Sequence, residues 1–183
     1  MSKYRKEQAI IATLIGGGLR RSEVTKLRLC DVFETFLFLR ETKTKKDYKQ
    51  EVNLQLMPII QAYKELRIKQ EAKLSDSLFQ VSDRTIARIV KRHADRVGID
   101  HHVSPHSLRA TFATIQLDLG VSVDKVARNM RHNSIQSTMR YDKRRLQGMD
   151  NPVNLMDFTE NSKKDLQNSN NLVKHTQGLE NDR

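Results

Sequence analysis

A single cysteine, Cys30, stands in 183 residues, and that scarcity sets the first limits. No internal disulfide framework can form, which excludes the small secreted scaffolds and fits a reducing compartment. Long apolar runs are missing as well. Nothing in the chain is long and apolar enough to cross a bilayer, and the opening Met-Ser-Lys-Tyr-Arg-Lys is not followed by a signal-peptide core. A cytoplasmic protein with no membrane partner is expected. Metal-binding patterns are also lacking, since His101, His102 and Cys30 do not have zinc spacing and no dense carboxylate cluster occurs. No metal and no other cofactor is expected.

What the chain does have is positive charge. Its formal net charge is +11, an electrostatic argument for a polyanionic partner, with nucleic acid the first choice. The excess is unevenly placed. Residues 150–183 hold six acidic against four basic side chains, are rich in Asn and are poor in apolar residues. This tail is expected to be largely disordered. Its one apolar cluster, Val153, Leu155, Met156 and Phe158, could dock as a short helix on its own domain or on a neighbour. The length suits one domain, 1–149, followed by that tail, 150–183.

Taken in order, Lys6 to Leu14 shows a helical pattern that the Gly16-Gly17-Gly18 run interrupts. Ser22 and Glu23 begin a short helix through Val24 and Leu27. From Val32 to Leu56 the pattern changes to a β-hairpin, with Phe36 to Leu39 on one side, Val52, Leu54 and Leu56 alternating on the other, and lysines at the tip. Pro58 opens a helix containing Ile60, Tyr63 and Leu66. Ser82 or Asp83 caps another, which buries Ile86, Ile89, Val90 and Ala94 to Val97 and leaves Arg84, Arg88, Lys91, Arg92 and Arg96 outside. The fold class is α+β, mainly helical with one small antiparallel sheet.

The densest chemistry lies between Ser104 and Tyr141. Ser104 suits a helix N-cap and Pro105 the first helical position, so His106 and Arg109 fall in the first turns, three residues apart. Free N–H groups and the dipole at a helix start attract anions, and an Arg fork there can grip two phosphate oxygens. Leu108, Phe112, Ile115 and Leu119 are expected to form this helix's packing stripe, with His106 and Arg109 off it, and Gly120 to stop it. A second helix carries Val123, Val126, Ala127 and Met130 on one face and delivers His132 at its end. Ser134 can cap a last segment in which Ile135, Thr138 and Met139 share a face, leaving Tyr141 pointing away from the core.

H-x-x-R at 106–109, a His before a short turn and a Tyr nine residues later together resemble the catalytic motif of the tyrosine recombinases, the phage-integrase type of site-specific DNA recombinase. Gly18-Leu19-Arg20-Arg21-Ser22-Glu23 resembles the family's first box, G-L-R-x-S-E, with Arg20 in the arginine position. Thr42-Lys43-Thr44-Lys45-Lys46 sits where the family carries a catalytic lysine on a hairpin; Lys43 is the choice, with Lys45, Lys46 and Lys49 in the same loop. The resemblance implies the recombinase catalytic-domain fold and the catalytic set Arg20, Lys43, His106, Arg109, His132 and Tyr141. It also implies double-stranded DNA as partner, a homotetramer on paired sites, and accessory DNA-bending proteins as further partners. It covers roughly residues 6–143, so the family's usual N-terminal core-binding domain is expected to be absent.

The chemistry of a phosphodiester asks for such residues. Attack on phosphorus builds negative charge on the equatorial oxygens, which Arg20 and Arg109 can stabilise. Tyrosine, with a pKa of about 10, is a weak nucleophile unless its proton is removed and the phosphate is polarised. Lys43 can protonate the leaving 5′ oxygen, while His106 and His132 can shuttle protons or hydrogen-bond the phosphate. By resemblance, Tyr141 would form a 3′-phosphotyrosyl bond that a partner strand's hydroxyl reverses, without ATP or a metal ion. Two other readings stand beside it: relaxation by a type IB topoisomerase, and a catalytically silent DNA-binding remnant of a mobile element. Glu23 and Asp31 are expected to be structural, orienting Arg20. The chain departs from the family pattern at Ala110, where many members have His, and at Arg131, where most have Gly. The second change implies a looser turn or an extra cation facing DNA.

Overall fold

The computed structural model describes residues 2–40, 46–132 and 134–142. Lys43 and the rest of segment 41–45, and the tail with its Val153–Phe158 cluster, lie outside the described residues.

Helix α1 (Ser2–Gly16) runs through the core, with Ala9, Ile10 and Leu14 fully buried; the larger two, Ile10 and Leu14, contribute about 1.5–3 kcal/mol each. It packs against α3 (Met57–Lys69), α4 (Asp83–Arg96) and α5 (Pro105–Asp118). Pro58 lies in the first turn of α3 as its fixed φ favours. Ser82 caps α4 by accepting from the Thr85 N–H at 3.3 Å. Ile86, Ile89, Val90 and Ala94 face inward, but Val97 is 73% exposed because the helix has ended by then. Tyr63 stacks on Phe79, ring centroids 5.6 Å apart, where α3 meets the segment before α4.

Strands β1 (Phe36–Leu39) and β2 (Tyr48–Glu51) pair antiparallel in the register Phe36↔Glu51 to Leu39↔Tyr48. The second strand is shorter than the alternation Val52, Leu54, Leu56 implied. Asn53 ends it: its carbonyl accepts from the Leu56 and Met57 N–H groups at 3.0 Å and turns the chain into α3, leaving Leu54 71% exposed.

A second, smaller cluster builds the far end of the domain. Ala113 and Leu117 of α5 meet Val126 and Met130 of α6 (Val123–Asn129) and its C-cap, with Phe112, Val121, Val123 and Tyr141 against them. The last helix, α7 (Gln136–Met139), is a single turn whose Thr138 is fully buried. The expected stripe of α5 is displaced: Ile115 and Leu119 are 48% and 77% exposed, and the buried line is Pro105, Arg109, Ala113 and Leu117. Arg109 therefore points into the domain. Among the described residues no helix is long and apolar enough to cross a membrane.

Candidate active site

Three helix ends supply the site. At the start of α5, Ser104 accepts from the Ser107 N–H and Ser107 Oγ accepts from the Ser104 N–H, both at 3.2 Å. This reciprocal cap holds exposed His106 and buried Arg109 on the first turns. The Arg109 guanidinium donates to two main-chain carbonyls, those of Gly18 and Met130. These acceptors orient the fork without neutralising it, since neither is a carboxylate. Burial, with Arg20 and Arg131 nearby, lowers its pKa to about 9, which leaves it protonated at neutral pH.

Gly18 explains how that approach is possible. It has φ +59, and a Cβ there would meet the Phe112 ring. Only glycine places its carbonyl on Arg109 without displacing that ring.

At the start of α2 (Arg21–Lys26), Arg20 is the N-cap residue and Glu23 the third helical one. Glu23 Oε2 accepts from the Arg20 N–H at 2.7 Å, while Oε1 accepts from Arg20 Nη1 at 2.8 Å. The other nitrogen, Nη2, donates to the Arg131 carbonyl at 2.8 Å. Arg21, its sequence neighbour, instead pairs with Asp83 at the surface, 2.9 Å away. Geometry thus separates the two neighbours, with Arg20 turned to the site and Arg21 to the surface. Asp31 does not orient Arg20; it binds Arg40 at 2.9 Å and caps the turn at Arg28.

At the end of α6, Arg131 has φ +52. Its N–H donates to the Arg128 carbonyl and that of His132 to Ala127, at 2.9 and 3.0 Å. This pair of bonds is the helix stop in which glycine is favoured. The turn is as tight as a glycine would make it, and the side chain does not face outward. It is 1% exposed and donates through Nη2 to Glu23 Oε2 at 2.7 Å. Both expectations for Arg131, a looser turn and a cation facing DNA, are overturned by this cap and this ion pair. Burial opposes the charge on Glu23, but Arg131, the Arg20 N–H and both side-chain bonds outweigh it and hold the carboxyl below the usual range.

His132 follows, with Nδ1 2.8 Å from Thr138 Oγ1. Burial first, then Arg109, Arg20 and Arg131, depress its pKa to about 4, so the ring is neutral at pH 7. Tyr141 lies across from it, ring centroids 6.4 Å apart, with its hydroxyl 3.5 Å from His106 Nε2. The ring is half-buried against Ala113, Leu117, Val126 and Met130, so it does not point away from the core as expected. Only its hydroxyl end reaches the site.

The structure thus brings five of the six expected residues together: Arg20, His106, Arg109, His132 and Tyr141. The sixth, Lys43, lies outside the described residues; Lys49, from the same hairpin, sits 4.2 Å over the Phe36 ring. Sequence reasoning missed Thr138 as the His132 partner and Gly18 and Met130 as the Arg109 acceptors. Two of these contacts run through carbonyls, which every residue has. Thr138 did carry a signal, as a polar residue on an otherwise apolar face.

Known proteins share this architecture. A solved structure of XerA recombinase superposes with a TM-score of 0.69 at 26% identity, covering 77% of this chain and 52% of that one. A structure described as XerH site-specific recombinase bound to difH substrate, a pre-cleavage complex, gives 0.66 at 18% identity, over 76% and 43% of the two chains. The fold is that of a tyrosine recombinase catalytic domain. The chain belongs to the phage integrase family, whose model matches residues 2–147. Among curated relatives, tyrosine recombinase XerA of Thermococcus onnurineus is 32% identical over 149 residues, covering 76% of this chain and 51% of its own. The chain spans about half the length of the curated relatives it matches.

Proposed function

We propose that this chain is the catalytic part of a site-specific DNA recombinase, with residues 1–149 as the catalytic domain and Tyr141 as nucleophile. The observation that carries the reading is the convergence at one cleft of the Tyr141 hydroxyl, two histidines, the Arg109 guanidinium held only by carbonyls, and the Arg20 guanidinium, which shares the Glu23 carboxylate with Arg131.

The substrate is duplex DNA. Arg20 and Arg109 receive the non-bridging oxygens of the scissile phosphate, and their charge stabilises the oxygens as the trigonal bipyramid forms. His106, within reach of the Tyr141 hydroxyl, accepts its proton as the phenolic oxygen attacks phosphorus. His132, neutral and tied through Nδ1 to Thr138, turns Nε2 toward the phosphate as a hydrogen-bonding partner. The P–O bond to the 5′ oxygen breaks, Lys43 gives that oxygen a proton, and the 3′ phosphate stays on Tyr141. Attack by a 5′ hydroxyl reverses the step. Exchange between two duplexes needs subunits paired on two sites, which makes a tetramer the working assembly. A structural neighbour, the Tn1549 transposon integrase, is solved in complex with transposon right end DNA, which supports the choice of DNA.

The test is to trap protein on DNA, digest the nucleic acid and locate the remaining nucleotide by mass spectrometry. It should map to Tyr141, and a second reaction with two labelled duplexes should give exchanged strands. Relaxation without exchange would identify a topoisomerase. Salt-sensitive binding without any adduct would identify a silent DNA-binding module.

A further inference from the structure

We propose that Arg131 is a positioning residue for Arg20, acting through Glu23 and through its own main-chain carbonyl. The inference builds on the reading of Tyr141 chemistry above and adds a residue to it.

The contacts form a closed ring. Arg131 Nη2 donates to Glu23 Oε2 at 2.7 Å; Glu23 accepts from the Arg20 N–H and from Arg20 Nη1; Arg20 Nη2 returns to the Arg131 carbonyl at 2.8 Å. Arg131 Nη1 also donates to Asn129 at 3.2 Å, which ties the ring to the end of α6. Helices α2 and α6, far apart in sequence, are thereby held in one register at the cleft. With a side chain only 1% exposed, Arg131 touches no substrate, so its effect has to pass through Arg20.

Two physical points give the arginine a purpose. The residue stands at φ +52, a conformation glycine adopts freely and a side chain disfavours. A glycine would keep the cap and the carbonyl to Arg20, so what arginine adds is the bond to Glu23. Glu23 is 8% exposed, and a buried carboxylate paired with Arg20 alone would cancel most of that arginine's charge. Sharing it between two guanidiniums leaves net positive charge at Arg20, where the phosphate is to sit. His132 feels this surplus, with Arg20 and Arg131 both among the charges that depress its basicity.

The test compares Arg131→Gly, Arg131→Lys and the wild-type chain, after thermal melts show which variants fold. Should Arg131→Gly fail to fold, Arg131→Gln read against Arg131→Lys gives the same comparison at an unchanged backbone. Two readouts are taken. The first is the rate of covalent adduct formation at saturating protein on supercoiled plasmid, beside the affinity for duplex DNA. Losing the charge should slow the adduct rate by about ten- to a hundred-fold, as loss of a supporting shell does elsewhere, with affinity nearly unchanged, and lysine should restore part of the rate. The second uses no DNA chemistry: 15N NMR of the arginine side chains, in which the Arg20 guanidinium should be ordered in the wild-type chain, averaged in Arg131→Gly and reordered by lysine. An unchanged rate and an ordered Arg20 in the charge-free variant would overturn the proposal. Loss of Arg20 order in a protein that forms no adduct even as wild type would uphold the positioning role and overturn the recombinase reading instead.

Discussion

Gly18 shows how much of the site depends on single residues. Its positive φ and the Phe112 ring against it leave no room for a methyl group, and its carbonyl is one of the two that hold Arg109. Gly18→Ala is expected to lower stability by about 1–3 kcal/mol and to weaken phosphate binding, both read by urea denaturation with and without inorganic phosphate. His132 provides the matching electrostatic measurement. In the free protein its ring should titrate near its depressed value of about 4, and binding a phosphate or DNA, by offsetting Arg109 and Arg20, should raise it. NMR titration of the ring checks this, and an ordinary His pKa in the free protein would show that the ring is not buried among these cations as described.

At the scale of elements, the site is built from helix ends. The start of α5 was legible in the sequence because capping is local: Ser104, Pro105 and Ser107 act within one turn. Ser104→Ala removes that cap and should cost about 1 kcal/mol, a drop in melting temperature with a parallel loss of adduct rate, since His106 and Arg109 ride on the same turn. The face of α5 was not legible. Apolar spacing pointed to Ile115 and Leu119, yet the buried line runs through Arg109, because two main-chain carbonyls from other segments make burial of a guanidinium affordable. The end of α6 was half legible. The position of Arg131 stood out by its departure from glycine, but which way a long side chain turns from a left-handed residue depends on Glu23, 108 positions away in the chain. Strand β2 was overextended for a similar reason: the turn at Asn53 is made by main-chain bonds that the alternation of Val52, Leu54 and Leu56 does not encode.

For the described domain as a whole, the buried ionisable groups act in one direction with pH. The His132 pKa is lowered by folding, so the unfolded chain binds its proton first, and stability falls as pH drops from about 6.5 toward about 4. Glu23 and Glu7 have folded-state values below the usual carboxylate range, so their contribution is present above that range and is lost as pH falls through it. In Glu7 burial opposes the charge, but hydrogen bonds from His93 and Arg92, at 2.8 and 2.5 Å, outweigh it. These bonds tie α1 to α4. The melting temperature should therefore be nearly level just above neutrality and fall steadily below about pH 6.5; a midpoint that rises on acidification would contradict the assigned pairs.

The most direct test of the central claim uses supercoiled plasmid in EDTA, with wild-type protein and Tyr141→Phe side by side. The account predicts relaxed plasmid and a denaturant-resistant protein–DNA adduct with the wild type, because Arg20 and Arg109 supply the charge the phosphate needs, and neither product with the phenylalanine variant. An adduct that forms equally well in Tyr141→Phe would contradict it.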